Sequence, residues 1–306
     1  MNFLLLCREP RLYSCRRLHE AAQQRGHKMD ILDPNRCLLK LTPNSPHFDI
    51  YYQQGIQDVA FLLSSYDGIL PRFGVTSTQM GCFVLQHFQG QGIPCLNQEA
   101  AVRLARDKWQ SLQVLTHQNI PIPLSTFAGC EISQPFQQMA LPVVLKQLQG
   151  MQGEGVMLAN TLKQAESIYV GSHSPLLVQE FVAQASGTDI RCFVIGDEVV
   201  ATMQRQSQQH DFRANCHLGG KATAIDIPES AKQLAIRATK AIGLDVAGVD
   251  LIQSERGYLV LEVNASPGLE MIEKTSGVDI AGKMIAYFES KITKFKKSSD
   301  FSPRFA

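Results

Sequence analysis

The sequence predicts an α/β unit followed by two α+β units, and three observations support this fold class. Strand-like and helix-like runs alternate over the first hundred residues, which is typical of a doubly wound parallel sheet. A proline-spaced segment at residues 120–123 then predicts a connector. Two hairpin patterns, at residues 190–204 and 250–264, predict antiparallel strands.

The elements of the first unit follow from apolar runs and helix signals. Ser14 is the expected cap of the first helix and Gly26 lies just past its end. Pro71 makes the third strand irregular, and residues 35–65 fit no simple pattern. We predict strands at 3–7, 29–32, 68–73 and 93–96, and helices at 14–25 and 77–89.

The later elements are predicted in the same way. Residues 100–118 form one long amphipathic stretch, and Asn160 or Thr161 is the expected cap of a helix at 159–169. Gly243 is expected to end another helix. The remaining predictions are strands at 141–145 and 175–182, a hairpin of 190–195 with 199–204, a helix at 230–242, and a basic tail after a fraying helix in the last sixteen residues.

Composition excludes some classes of function. The chain has 306 residues, 44% hydrophobic and 19% charged, with a formal net charge of +1. It therefore has no bulk attraction to nucleic acid or to an acidic membrane. The eight cysteines include no Cys-x-x-Cys pair, which is typical of buried thiols in a reducing compartment, and the N-terminal apolar run is too short for a signal peptide. We expect a cytoplasmic, soluble protein.

The most informative stretch is residues 250–264, whose alternating apolar positions around Glu255-Arg256-Gly257 predict a hairpin. With Gly257 left-handed in a three-residue loop, Ser254 pairs with Tyr258. The same register sets Asp250 opposite Glu262, and the alternation adds Asn264 to that face. Facing carboxylates repel, so a positive group is expected between them, and oxygen ligands suit Mg²⁺. Acids on a solvated face are the alternative, but Ile252 and Val260 are expected on the same face and argue against it.

Two further segments carry groups suited to phosphate. Lys146 ends an apolar strand and is followed by Gly150, Gly153 and Gly155, whose backbone N–H groups could approach phosphate oxygens. The alternative is an ordinary hairpin loop. Glu180, before Phe181, is the one acid in another apolar strand and could hold an adenine or ribose edge, or could simply reach solvent.

Asp189 and Arg191 share a strand face, and Arg213 and Asn215 lie in a polar loop. They could bind phosphate or carboxylate, or form ordinary surface contacts. His210 and His217 have no third soft ligand at metal spacing, so we expect them to be hydrogen-bonding residues. No combination of nucleophile and base indicates covalent catalysis.

The order of these segments resembles the ATP-grasp enzymes, and in particular the RimK-type α-L-glutamate ligases. The similarity covers nearly the full length. The motifs that carry it are Leu12-Tyr-Ser-Cys, Ile31-Leu-Asp-Pro, Arg106-Asp-Lys, Asp189-Ile-Arg-Cys, Gly196-Asp-Glu-Val-Val, Asp211-Phe-Arg-Ala-Asn, Asp245-Val-Ala-Gly-Val-Asp and Glu262-Val-Asn-Ala-Ser-Pro-Gly-Leu-Glu.

The resemblance implies an ATP-grasp fold: a pre-ATP-grasp parallel-sheet domain (1–105), two lobes that grip ATP (106–186 with the glycine loop, 187–293 with the metal site) and a basic tail (294–306). It implies Mg²⁺ or Mn²⁺, as two ions, on Asp250, Glu262 and Asn264. Catalytic roles fall to Lys146, Arg213 and Asn215. The implied nucleotide contacts are Lys108, Lys146, Gly150, Gly153, Gly155, Glu180, Phe181, Asp189, Arg213, Ala214 and Asn215.

The implied reaction joins L-glutamate to the C-terminal carboxylate of a protein, such as a small-subunit ribosomal protein, through an acyl phosphate. Three departures leave the acceptor open: Gln149-Gly-Met151 at the loop start, Leu218 where relatives often carry Arg, and the poor match at 40–65. An amino-group carrier protein or small peptide is an alternative acceptor, and a non-catalytic ATP-binding regulator is an alternative function. Neither nucleic acid nor membrane is an expected partner, and a homo-oligomer is compatible with the resemblance.

Overall fold

The computed structural model describes residues 1–44, 47–129, 136, 138–148, 155–172, 174–207, 211–214 and 220–300, and these residues form four sheets. The described helices include none that is long and apolar enough to cross a membrane.

The N-terminal sheet is parallel, with β1 (Asn2–Leu6) between β2 (Lys28–Leu32) and β6 (Gly68–Pro71), as expected for a doubly wound unit. Residues 3–6 of β1 are fully buried. Pro71 is the last residue of β6, paired with Leu6, so its missing N–H interrupts the ladder only at its end. Residues 93–96 contribute only one described bridge, between Ile69 and Cys95. The elements are β1 (Asn2–Leu6), α1 (Tyr13–Gln24), β2 (Lys28–Leu32), β6 (Gly68–Pro71) and α2 (Thr78–Gly90).

The segment that fitted no sequence pattern forms a separate antiparallel sheet of β3 (Cys37–Leu41), β4 (Phe48–Tyr52) and β5 (Phe61–Leu62). Phe48 of β4 packs edge-to-face on His87 of α2, with ring centroids 5.4 Å apart. One face of β3 and β4 is apolar, whereas the other carries Leu38 and Tyr51 beside Lys40 and Asp49. Apolar residues on both faces explain why the alternation was not recognisable.

The long helix predicted at 100–118 is two helices, α3 (Glu99–Arg106) and α4 (Lys108–His117). Asp107 adopts an extended conformation between them, and its carboxylate caps α4 by accepting from the Gln110 N–H at 2.9 Å. The break places Arg106 at the end of one helix and Lys108 at the start of the next.

The second large sheet is antiparallel, with the order β7 (Ser125–Phe127), β10 (Leu176–Glu180), β8 (Val143–Gln147) and β9 (Val156–Ala159). Thr161 caps α5, as the sequence indicated. Buried residues of the strands pack on one face of that helix. These elements are β7 (Ser125–Phe127), β8 (Val143–Gln147), β9 (Val156–Ala159), α5 (Leu162–Gly171) and β10 (Leu176–Glu180).

The third large sheet has the order β13-β12-β11-β14-β15 and contains both predicted hairpins. Gly243 ends α6 in a left-handed conformation, with φ of 83°. The elements are β11 (Thr188–Ile195), β12 (Glu198–Gln206), β13 (Lys221–Ala224), α6 (Glu229–Ile242), β14 (Val246–Ser254), β15 (Gly257–Asn264), α7 (Glu270–Ser276) and α8 (Ile280–Asp300).

The C-terminal helix α8 returns to the N-terminal sheet. Phe288 packs against Phe3, and a Cβ at Gly68 would lie 2.6 Å from Phe288 and Ile292. Residues 294–300, where the basic tail was predicted to begin, continue this helix. The six described cysteines are buried free thiols, as expected, whereas Cys130 and Cys216 lie outside the described residues.

Candidate active site

The hairpin of β14 and β15 sets Asp250 directly opposite Glu262, as predicted, but by a different route. Ser254 pairs with Gly257 rather than with Tyr258, so the turn is one residue tighter than expected. A bulge next to Asp250 inserts one extra residue in β15 and restores the predicted register. Val260 consequently pairs with Leu251 and lies on the face opposite to Glu262, which corrects the expectation that it flanks the acids.

A buried asparagine holds the open end of this hairpin. Asn97 lies before α3 and is 2% exposed. Its amide nitrogen donates to the Val246 and Ala265 carbonyls at 2.9 and 3.1 Å. Its oxygen accepts from the Asp245 and Val246 N–H groups at 2.9 and 3.0 Å. All four hydrogen-bonding positions of the amide are used, so the start of β14 and the end of β15 are fixed relative to the N-terminal unit.

The charge that compensates Asp250 comes from two arginines. Arg191 donates from Nε to Oδ1 and from Nη2 to Oδ2, the latter at 2.8 Å, and Arg205 Nη2 donates to Oδ2 at 2.8 Å. Burial opposes ionisation of Asp250, yet the two guanidinium groups hold its pKa below the ordinary value. The repulsion argument for a metal is therefore weaker than the sequence suggested, because positive charge is already present.

Arg205 also pairs with Asp189, which is predicted to contact nucleotide. Its Nε and Nη2 donate to the two Asp189 oxygens at 2.6 Å each. Burial raises the pKa of Asp189, and Arg205 opposes that effect. Asp189 is thus engaged with Arg205 and not with Arg191, its neighbour on the strand. It supports the arginine that holds Asp250.

Glu262 is the more open of the two hairpin carboxylates. Its Oε1 accepts from Asn264 Nδ2 at 3.0 Å, which leaves the Asn264 oxygen directed elsewhere. Asp250 Oδ1 has one arginine donor and so keeps a lone pair. The described residues include no group of three or more His, Cys, Asp or Glu side chains arranged for a metal. The donor set is instead two carboxylates and an amide, hard oxygens that fit Mg²⁺ or Mn²⁺.

Two lysines from other segments face this hairpin. Glu262 is a charged neighbour of both Lys108 and Lys146, and Asp250 is one of Lys146. Lys108 Nζ donates to the Leu148 carbonyl at 3.0 Å, and Lys146 Nζ donates to Gln179 Oε1 at 2.6 Å. Burial lowers the pKa of Lys146 to about 8 and also lowers that of Lys108. Ammonium groups that are desolvated in this way bind phosphate oxygens strongly.

Only the end of the predicted glycine loop is described. Gly155 has φ of 70°, and its carbonyl accepts from the Gln147 N–H at 2.9 Å. A Cβ there would lie 2.5 Å from Gln147 Oε1, so both conformation and space favour glycine. The predictions for Gly150, Gly153 and the departures at Gln149 and Met151 fall outside the described residues.

Glu180 has two partners within the protein, and its predicted contact with an adenine or ribose edge stays a prediction. Its carboxylate accepts from the Leu124 N–H at 2.9 Å and pairs with Arg256 in the hairpin turn. It therefore neither stands alone nor simply reaches solvent. Phe181 is partly buried and lies edge-to-face with Phe212, with ring centroids 6.3 Å apart.

Arg213 forms a fork with Asp211, with Nε–Oδ1 of 3.0 Å and Nη2–Oδ2 of 2.7 Å. Its guanidinium also lies 5.9 Å from the Phe212 ring centroid. Ala214 is buried. Asn215, Leu218, His210 and His217 lie outside the described residues, so the sequence predictions for them are not tested.

Sequence reasoning missed Arg205, Gln179, Asn97 and Arg256. Arg205 could not be found from the predicted Gly196-Asp197 turn, because the register at that turn would pair Asp189 with Gln204. A register shift between Phe193 and Val194 places Asp189 opposite Arg205 instead. Asn97 carries no local signal, since its partners are more than 140 residues away.

The arrangement of three large sheets, with facing carboxylates on a hairpin and lysines from two other segments, is that of an ATP-grasp ligase. Residues 105–288 match the model of the RimK-like ATP-grasp domain, and residues 1–102 match that of the RimK PreATP-grasp domain. The chain belongs to the RimK-like ATP-grasp family.

Relatives agree with this assignment. The chain is 58% identical over 299 residues to a protein of Histophilus somni (strain 129Pt) named probable alpha-L-glutamate ligase, a match that covers 96% of this chain and 100% of the relative. A protein of the same name from Haemophilus influenzae (strain ATCC 51907 / DSM 11121 / KW20 / Rd) is 58% identical over 294 residues, covering 94% and 97%.

Solved structures share the fold. The RimK domain protein ATP-grasp from Sphaerobacter thermophilus DSM 20745 has a TM-score of 0.69 at 25% identity, covering 94% of this chain and 99% of that one. The ATP-grasp ligase PsnB, complexed with a phosphomimetic variant of minimal precursor, Mg and ADP, has a TM-score of 0.71 at 21% identity, covering 95% and 98%.

The predictions of family, fold class and an ATP-dependent ligase are confirmed. ATP-grasp ligases use ATP and a divalent metal, so these cofactors are supported at the level of the class. The number of ions and the residues that hold them stay predictions.

Proposed function

We propose that this protein adds L-glutamate, through an acyl phosphate, to the C-terminal carboxylate of a protein, with a small-subunit ribosomal protein as the first acceptor to test. The observation that carries the proposal is the pairing of Asp250 with Glu262 on the hairpin, together with the electrostatic influence of Glu262 on Lys108 and Lys146, which come from two other segments. The amino acid is proposed from relatives that are named probable alpha-L-glutamate ligases.

The reaction has two displacements. An oxygen of the acceptor carboxylate bonds to the γ-phosphorus of ATP, and the bond from that phosphorus to the oxygen of ADP breaks. The α-amine of glutamate then bonds to the acyl carbon, the carbon–oxygen bond to phosphate breaks, and the amine nitrogen gives up a proton to the released phosphate or to water. Cations that surround the phosphates stabilise the charge that is spread over the transferring group.

The chain supplies those cations at defined positions. Lys146, held by Gln179, and Lys108, held by the Leu148 carbonyl, are assigned to the phosphates. Arg213 is assigned to the transferring phosphoryl group. To bind it, the guanidinium group must leave the Asp211 carboxylate or bind both groups at once. Asp250, Glu262 and Asn264 would hold Mg²⁺ or Mn²⁺, which supplies Lewis acidity at the phosphate oxygens when bound.

Replacing Glu262 by Gln tests this assignment. The substitution keeps the shape of the side chain but removes one of two carboxylates, so we expect glutamate- and acceptor-dependent ADP release to fall about 100-fold or more. Glu255→Gln is the matched control, because Glu255 lies in the turn of the same hairpin and bonds only Gln184 among the described residues. Near-normal turnover of Glu262→Gln would remove the metal assignment.

The identity of the reaction is tested separately. The enzyme is incubated with ATP, Mg²⁺, L-glutamate and a ribosomal protein extract, and intact masses are measured. A glutamyl residue adds about 129 Da to its acceptor, and the reaction without ATP provides the baseline. ATP-dependent mass increments on one protein support the proposal, whereas their absence with all other components present contradicts the choice of acceptor.

A further inference from the structure

An arginine without a carboxylate partner stands at the edge of the N-terminal sheet. Arg72 follows β6 at the carboxyl end of the parallel strands, the edge where open α/β sheets bind ligands. Its backbone N–H donates to the Leu6 carbonyl at 2.9 Å, which fixes its position. Burial lowers the pKa of its guanidinium, and the charged or ionisable groups near it are Arg106 and the thiols of Cys7 and Cys15. Across the described ranges, no Asp or Glu forms an ion pair with Arg72.

A second arginine is fixed beside it. Arg106 Nη2, at the end of α3, donates to the carbonyl of Phe73, the residue after Arg72, at 2.8 Å. Its Nε is buried and has no hydrogen-bond partner within the described parts of the chain. Burial lowers its pKa, while the Glu262 charge acts in the opposite direction without forming an ion pair. Arg106 is therefore a charged neighbour both of Arg72 and of Glu262.

Burial opposes the charge of both guanidinium groups, and the Arg106 charge adds to this effect at Arg72. A bound anion would offset this cost, and a planar carboxylate matches the guanidinium fork. The phosphates already have Lys108 and Lys146 as cationic partners. The remaining anions of a carboxylate–amine ligase are the carboxylates of its amino-acid and acceptor substrates.

We propose that Arg72 and Arg106 form a carboxylate subsite that positions one substrate beside the phosphoryl-transfer residues. The inference rests on the proposed function in its choice of ligand. The carboxylate can belong to the incoming amino acid or to the end of the acceptor chain. The experiment below distinguishes these two sources.

The test measures each substrate separately in Arg72→Gln, Arg72→Lys and Arg103→Gln. Arg103 is the matched control, since it lies on α3 beside Arg106 but is 48% exposed in its side chain and pairs with Glu99. The probes are L-glutamate and acetyl-Glu-Glu-Glu with a free C terminus, with the peptide amide as its control. Loss of a charged hydrogen-bonding partner should raise the KM of one of these substrates by roughly 10- to 100-fold in Arg72→Gln. Arg72→Lys should recover part of the loss.

Direct binding provides a readout that does not depend on turnover. Trp109 is the single tryptophan of the chain, lies next to Lys108 and packs on Phe127 with centroids 5.5 Å apart. Its fluorescence should report ATP·Mg²⁺ binding with the same Kd in wild type and Arg72→Gln. Glutamate or peptide binding in the presence of ADP·Mg²⁺, measured by calorimetry, should weaken in Arg72→Gln and in a further variant, Arg106→Gln, but not in Arg103→Gln.

The outcomes separate the subsite from the proposed function. A rise in the KM of glutamate alone assigns the subsite to the amino acid, and a rise in the KM of the peptide alone assigns it to the acceptor. Unchanged constants for both in an active Arg72→Gln enzyme overturn the subsite and leave the ligase function standing. Arg72-dependent glutamate binding by an enzyme that forms no product supports the subsite and contradicts the function. If Arg72→Gln binds ATP, glutamate and peptide more weakly by the same factor and also has a lower Tm, Arg72 has a structural role and the subsite is overturned.

Discussion

Replacement of Lys146 by Met is expected to have two effects that can be measured separately: a pH-dependent change in stability and a loss of ATP affinity. The folded protein holds the ammonium where burial lowers its pKa from an ordinary 10.5 to about 8. Between pH 8 and 10.5, this lysine is therefore mostly protonated in the unfolded chain and mostly neutral in the folded protein. Stability consequently rises with pH across this window for this group.

The magnitude follows from the two pKa values. A difference of one pKa unit corresponds to about 1.4 kcal/mol, so the buried ammonium destabilises the folded protein by about 3 kcal/mol at pH 7 and by about 1.4 kcal/mol at pH 9.5. Lys146→Met removes this term and also leaves Gln179 Oε1 without its donor, at a cost of about 1–3 kcal/mol at both pH values. The stability of the variant relative to wild type should therefore be about 2 kcal/mol more favourable at pH 7 than at pH 9.5.

The assay is urea unfolding of both proteins at the two pH values, together with ATP·Mg²⁺ titration of Trp109 fluorescence at pH 7. ATP affinity should fall by roughly 10- to 100-fold in Lys146→Met, because a charge-assisted contact to phosphate is lost. Lys163→Met, at an exposed position of α5, controls for the change in composition. A stability difference independent of pH, combined with unchanged ATP affinity, would refute both the burial and the phosphate role of Lys146.

Two further substitutions test the support beneath the site. Arg205→Met should lower the free energy of unfolding by about 3–5 kcal/mol in chemical denaturation, because it leaves Asp189 and Asp250 facing each other in a buried position; stability within 1 kcal/mol of wild type would argue against the network. Asn97→Ala should lower it by about 3 kcal/mol, since four buried backbone groups lose a partner, and hydrogen exchange at Val246 should accelerate; unchanged protection there would show that the hairpin is held by other contacts.

The hairpin of β14 and β15 shows which features local sequence patterns can predict and which they cannot. The alternation and the turn predicted the pairing of Asp250 with Glu262, and Gly257 has the positive φ that was expected. The bulge was not predictable, because its extra residue lies in an unbroken apolar run. A tighter turn and a bulge offset each other, so the facing pair was correct while the face of Val260 was wrong.

The lysines illustrate a different limit. The strand pattern predicted that Lys146 ends a buried strand, and the resemblance indicated Lys108. Neither shows that Glu262 is a charged neighbour of both lysines. The same holds for Arg191 on β11 and Arg205 on β12, whose positive charges compensate the Asp250 carboxylate on β14. Pairing between strands distant in the sequence is set by the whole sheet, so such contacts are visible only in the folded chain.

The central claim is that a divalent cation on the hairpin carboxylates anchors the nucleotide. The most direct measurement is an anomalous difference map at the manganese edge, from crystals grown with Mn²⁺ and a non-hydrolysable ATP analogue. We expect a peak about 2.1–2.2 Å from oxygens of Asp250, Glu262 and Asn264 and adjacent to the phosphates. A nucleotide bound with no anomalous peak at these residues, or with manganese held elsewhere, would contradict the account.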